Sequence, residues 1–176
     1  ATIAPFNHNP NTISFNPSTQ TSLSIAIMGD WGTGNYQDGP SNTSPSTQVM
    51  AAIAALKPDI LVHLGDVYYA GTSSEEQINL VDAWQYKAPL GNFTLNSNHE
   101  MYSGANDYYN VALGSGLFNQ TGPNGSQPTS YFSIDYGNWV ILGLDSAYNA
   151  TSMYMDGVIN DPYQPAFMAQ ASAGKN

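Results

Sequence analysis

The run Ile60-Leu61-Val62-His63-Leu64-Gly65-Asp66-Val67-Tyr68-Tyr69-Ala70-Gly71 passes from mostly apolar residues into a glycine–aspartate break. Pro58 and Asp59 stop whatever precedes it. A short continuous apolar run of this kind fits a strand covered on both faces, as in a parallel sheet. Read alone, Asp66 caps the turn that follows. Leu23–Met28, however, is a second β-branched apolar run that also ends in Gly-Asp, at Gly29-Asp30-Trp31-Gly32. Two strands with the same terminus change the reading. Open α/β sheets bind ligands just beyond the carboxyl ends of their strands.

Working outward, strand and helix alternate. Ser46 or Thr47 caps a helix through Leu56, with Val49, Met50, Ile53 and Leu56 on one face. Ser73-Ser74-Glu75-Glu76 opens a second helix with Ile78, Val81 and Trp84 as its apolar face, closing by Pro89. Phe93–Leu95 predicts a third strand, leading into Asn96-Ser97-Asn98-His99-Glu100. One helical turn is expected near Tyr108–Leu113. Ser130–Asp135 and Trp139–Leu144 flank Tyr136-Gly137-Asn138, a hairpin signal, and Gln164–Ala173 begins a last helix. The pattern predicts an α/β fold: a parallel sheet that takes on an antiparallel hairpin. Residues 1–22 read as an extended arm, with a short strand at most near Ile13–Phe15, and residues 23–176 as the domain.

Composition narrows the function. The 176 residues include 13 acidic residues, three lysines and no arginine, for a net charge of −10. That balance argues against nucleic acid and anionic membranes as partners. With no guanidinium available, an anionic substrate has to be held by metal ions or backbone N–H groups. No apolar run is long enough to span a membrane. Sequons begin at Asn42, Asn92, Asn119, Asn124 and Asn149, and with the absent cysteines and the start at Ala1 they predict a secreted glycoprotein.

If the three strands are parallel neighbours, Asp30, Asp66, Tyr69, Asn98 and His99 converge on one rim. Carboxylates, a phenol and an amide oxygen form a hard donor set suited to Fe(III), Mn, Mg or Zn. Asp66, in the middle, has the two oxygens needed to bridge a pair of ions roughly 3.5–4 Å apart.

Gly29-Asp30-Trp31-Gly32, Gly65-Asp66-Val67-Tyr68-Tyr69 and Asn98-His99-Glu100 resemble the first three motifs of the calcineurin-like metallophosphoesterases. Within these, Gly32 in place of a histidine and Tyr69 as a phenolate are most similar to the purple acid phosphatase branch. The resemblance covers about Leu23–Asp145. It implies an αββα sandwich, here incomplete (the first half of the sheet pair plus a hairpin). It implies two divalent or trivalent ions, Fe with Zn, Mn or Fe. Asp30, Asp66 and Tyr69 would hold the first ion, Asp66 and Asn98 the second, and His99 would meet a phosphate monoester as donor or general acid.

The chain departs from that pattern in its imidazoles. The family adds three later histidine ligands, whereas this sequence has only His8, His63 and His99. His8 reads as a solvated surface group and His63 as a core residue. Asp145 reads as a strand-end turn former, and Ser97 stands where the family has glycine. Two expectations follow. One is a secreted dinuclear phosphomonoesterase; the other is a phosphoesterase-derived domain without catalysis, serving as an extracellular assembly or filament subunit. A half sandwich exposes an apolar face, so self-association or a covering partner is expected.

Overall fold

The computed structural model describes residues 2–32, 34, 43–118 and 127–175. Its strands are β1 (Asn11–Phe15), β2 (Ile25–Met28), β3 (Ile60–His63), β4 (Gly91–Thr94), β5 (Phe132–Tyr136) and β6 (Trp139–Gly143). Its α-helices are α1 (Pro45–Leu56), α2 (Ser73–Glu75), α3 (Asn98–Met101) and α4 (Tyr163–Ala171). Strands β2, β3 and β4 form one parallel sheet with β3 in the centre. The second sheet has the order β1-β5-β6, with β1 parallel to β5 and β5 antiparallel to β6.

Period-two alternation along β3 explains the layering. Ile60 and Val62 meet Phe93 of β4 and, across the gap, Ile13, Phe132 and Ile134 of the second sheet. Leu61 faces the other way, onto Met50, Leu80, Trp84 and Tyr108. The molecule is therefore a mixed α/β structure of two small facing sheets, with helices over the outer side of the first: an incomplete αββα sandwich.

The hairpin departs from expectation. It does not extend the first sheet but joins β1 in a second one, because Phe132 and Ile134 are the face that covers Phe93. The expected apolar inner face is thus covered within the chain. Part of the arm is also used in cis, since Asn11–Phe15 pairs along its whole length with β5. The phenyl rings of Phe93 and Phe132 lie 4.5 Å apart, both buried. Phe93→Ala opens a cavity between the sheets and should cost about 3–5 kcal/mol in urea denaturation. A loss under about 1 kcal/mol would mean that the sheets do not pack on each other through this ring.

Helix starts lie slightly ahead of their expected places. Ser44, not Ser46 or Thr47, caps α1, accepting from the Thr47 N–H at 3.2 Å with Pro45 in the first turn. Met50 is buried there, but Leu56 is 77% exposed, so the expected apolar face is narrower. Thr72 precedes α2, and Glu75 accepts from the Thr72 N–H and hydroxyl. The backbone then widens into a π-helical stretch over Glu76–Val81. One extra residue in that turn rotates the face, turning Glu76 and Leu80 inward and Ile78 out. Among the described residues, no helix is long and apolar enough to cross a membrane.

Candidate metal centre at the rim of the first sheet

The carboxyl ends of β2 and β3 carry the same backbone device. Asp30 (φ +48°) and Asp66 (φ +65°) both adopt left-handed conformations just after their strands. Such geometry is uncommon for a residue with a side chain and costs on the order of 1–3 kcal/mol. The two turns are tied together: the Leu64 N–H donates to Met28 O at 2.8 Å and the Asp30 N–H to Gly65 O at 3.3 Å. Two left-handed aspartates thus stand on adjacent parallel strands at the carboxyl-end rim, where open α/β sheets bind ligands.

The third strand leads into α3. Ser97 precedes that helix, its N–H donating to Glu100 Oε2 at 2.7 Å. The Ser97 hydroxyl touches both Glu100 Oε2 and Asp66 Oδ1. Asn98 and His99 follow in the first turn. The His99 ring reaches back to β3's loop, where Nδ1 donates to the Tyr69 carbonyl at 2.5 Å. Because a carbonyl only accepts, Nδ1 carries hydrogen and Nε2 is the atom left for a ligand. Neutral His99 therefore presents an acceptor there, and only the imidazolium would donate to a phosphate ester.

Two hollows share Asp66. One, of about 310 Å³, is lined by Gly32, Asp66, Tyr69, Asn79 and His99 among others. The other, of about 290 Å³, is lined by Asp66, Asn96, Ser97, Asn98 and Tyr154 among others. The structure thus brings Asp66 together with Tyr69 and His99 on one side and with Asn98 on the other. Asp30 is exposed on the neighbouring strand end and lines neither hollow. Gly32 leaves no room for a larger residue, since a Cβ there would stand 2.7 Å from Ser46 Oγ and 2.8 Å from Ser46 N. A larger cavity, about 580 Å³, lies elsewhere, lined by His8, Asp135 and Lys175 among others. The Asp135–Lys175 pair at 2.6 Å already satisfies its charges.

The other two histidines are away from the rim. His63 is fully buried and accepts from Trp31 Nε1 at 3.0 Å, and burial pulls its pKa down to about 3, so the ring stays neutral. Trp31, 4% exposed, stacks edge-on to Trp84 and belongs to the core. His8 stacks on Tyr163. Asp145 is a buried turn former: it accepts from the N–H groups of Ala147 and Tyr148 and from Ser130 and Asn96. Loss of water raises its carboxyl pKa.

No pattern in the sequence joins Glu100 and Glu76 as a unit. Both are fully buried beneath the rim, with the Tyr68 hydroxyl donating to Glu100 at 2.5 Å. Desolvation raises both carboxyl pKa values, and the charge of Glu100 pushes Glu76 further. The one signal available was the Ser97-x-x-Glu100 capping pattern.

Among the glycosylation candidates, Asn92 is corrected. It lies inside β4 at 4% exposure, and its Oδ1 accepts from Ala88 N and Trp84 Nε1, so the folded chain has no room for a glycan there. Asn149 is half-buried in a loop. Asn42, Asn119 and Asn124 lie outside the described residues.

Among the described residues, no cluster of three or more His, Asp, Glu or Cys side chains could hold an ion. The rim instead mixes two carboxylates with an amide and a phenol. In chemical kind these hard oxygen donors fit a divalent or ferric ion; in number they fall short of two fully ligated ions. A family model for calcineurin-like phosphoesterases matches residues 23–163. Comparison with curated proteins and with solved structures gives no match.

Proposed function

Because the chain belongs to the calcineurin-like phosphoesterase family, a family of metal-dependent phosphoesterases, we propose that it is a phosphomonoester hydrolase of the purple acid phosphatase type. The observation that supports this best is the pair of left-handed aspartates, Asp30 and Asp66, at adjacent strand ends. Asp30, Asp66 and Tyr69 would hold one ion, and Asp66 with Asn98 a second. When bound, such ions supply positive charge to the phosphoryl oxygens and lower the pKa of water toward neutrality. The chain's own residues do the rest. Asp66, flanked by both hollows, orients the site; His99, fixed through Nδ1, presents Nε2 to the ester and as imidazolium protonates the leaving oxygen. Secretion and glycosylation belong to the same proposal, supported by the low charge and by the Asn149 sequon in a loop.

The second reading, a non-catalytic assembly subunit, is favoured by one observation: His99 alone of the three histidines stands at the rim. A single experiment separates the two. Equilibrium dialysis against Mn²⁺, Zn²⁺ and Fe³⁺ should find bound metal, with hydrolysis of p-nitrophenyl phosphate that depends on it. Asp66→Ala should weaken metal binding at least about 100-fold, beyond the 10–100-fold typical of residues that only support a ligand. Wild-type protein that binds no metal and turns over no ester would leave the assembly reading.

A further inference from the structure

Asn96 follows β4, and only one end of its amide is satisfied. Its Nδ2 donates to both oxygens of Asp145, at 3.2 and 3.0 Å. Its Oδ1 is buried and meets no hydrogen-bond donor. The neighbours enforce that orientation. Asp145 Oδ1 already accepts from the N–H groups of Ala147 and Tyr148, at 3.0 and 2.9 Å, and Oδ2 accepts from the Ser130 hydroxyl at 2.5 Å. A carboxylate held as an acceptor on both oxygens requires the amide nitrogen to face it, which turns the amide oxygen to the other side. Gln164 fixes Asp145 in turn: its Oε1 accepts from Asp145 N and its Nε2 donates to Asp145 O, both at 2.8 Å. A buried acceptor without a donor is rare and costly. This one belongs to a side chain, 4% exposed, that lines the hollow of about 290 Å³ together with Asp66, Ser97 and Asn98.

The rest of that lining limits what can meet the oxygen. Asp66 brings a carboxylate and Asn98 a second amide, and no lysine lines the hollow in a chain without arginine. A phosphoryl group brings only further acceptors and leaves Asn96 Oδ1 unmet. A hard cation meets carboxylate and amide oxygens together. We infer that Asn96 Oδ1 is a metal ligand, a third protein oxygen beside Asp66 and Asn98 for a hard cation in this hollow, with Asp145 as the positioning residue that orients it. The inference deepens the phosphoesterase reading and rests on the second ion which that reading assigns to Asp66 and Asn98. It makes up part of the shortfall in donors at this rim.

The test reads metal binding directly. Calorimetry with Zn²⁺ on the wild type should show binding in two steps. Asn96→Leu, which keeps the branched shape, should weaken one of them at least about tenfold. That variant also takes a donor from Asp145, so Ser130→Ala is the control. It takes another donor from the same carboxylate and should leave both steps within about twofold of wild type. In wild-type protein, the side-chain ¹³C carbonyl resonance of Asn96 should move with Zn²⁺ and saturate with one of the steps. An unmoved resonance overturns the inference even where Asn96→Leu fails to fold. So does a Zn²⁺ affinity that is unchanged in Asn96→Leu, or lowered equally in Ser130→Ala. Those results leave the phosphoesterase reading intact if wild-type protein hydrolyses p-nitrophenyl phosphate with added metal. Zn²⁺ held through Asn96 without hydrolysis keeps the ligand and removes the phosphatase. Wild-type protein that takes up no Zn²⁺ removes both.

Discussion

Gly65→Ala should destabilise the protein by about 3–5 kcal/mol, read as a fall in the urea midpoint at constant slope. Two effects add. Gly65 sits at φ +101°, a conformation that residues with a Cβ rarely adopt, and an added Cβ would stand 2.3 Å from Ser97 Cβ and 2.6 Å from its Oγ. Ser97 has little freedom to retreat, because its N–H is held by the buried Glu100 and its hydroxyl touches Asp66. Gly157→Ala provides the control. It too has positive φ, +63°, but nothing lies within 4 Å of its added Cβ, so it should cost about 1 kcal/mol. The double variant Gly65→Ala/Ser97→Gly should recover the steric part and leave the backbone part. Equal losses for Gly65→Ala and Gly157→Ala would show that the contact with Ser97 contributes nothing. The same substitution displaces Asp66, so metal binding should weaken even where the fold survives.

The rim was legible because it rests on local patterns that repeat. An apolar run followed by Gly-Asp appears at residues 23–30 and again at 60–66, and a parallel sheet turns that repetition into proximity. The capping box at Ser97 and Glu100 is equally local, its two partners being three residues apart, but it shows only in the structure. What the pattern did not reveal depends on pairing over long separations. Nothing local in Asn11–Phe15 indicates that it pairs with Phe132–Tyr136, more than a hundred residues on. The π-helical stretch at Glu76–Val81 defeated a helical face drawn at 3.6 residues per turn, and so Glu76 went unnoticed as a buried acid. Asn92 reads as a sequon in the chain and as a core amide in the fold. Burial is settled by the second sheet and the helices together, not by the neighbours of a residue in sequence.

Glu76 sets the second large expectation, a fall in stability as pH rises above the ordinary carboxylate pKa. Its carboxyl is fully buried, and desolvation first, then the charge of Glu100, raises its pKa well above the ordinary carboxylate range. Glu100 and Asp145 are raised for the same leading reason. Between the ordinary carboxylate pKa and the raised one, the folded state keeps a proton that the unfolded chain has released. Unfolding then releases protons, and stability drops by about 1.4 kcal/mol per pH unit for each such group. His63 acts with the opposite sign. Its pKa of about 3 means that below 6.5 the unfolded chain binds a proton the folded state refuses, so stability falls as pH falls through that window. Glu75, held below the ordinary range by hydrogen bonds from Thr72 that outweigh its slight burial, adds to the acid-side loss. The two sides meet in a maximum on the acid side of neutrality. Glu76→Gln removes one proton from the alkaline limb and keeps the shape of the side chain. It should match the wild type near pH 5 and exceed it by more than 1 kcal/mol at pH 8, with the acid limb unchanged. Parallel stability curves for the two proteins from pH 5 to pH 8 would place the alkaline loss on other groups.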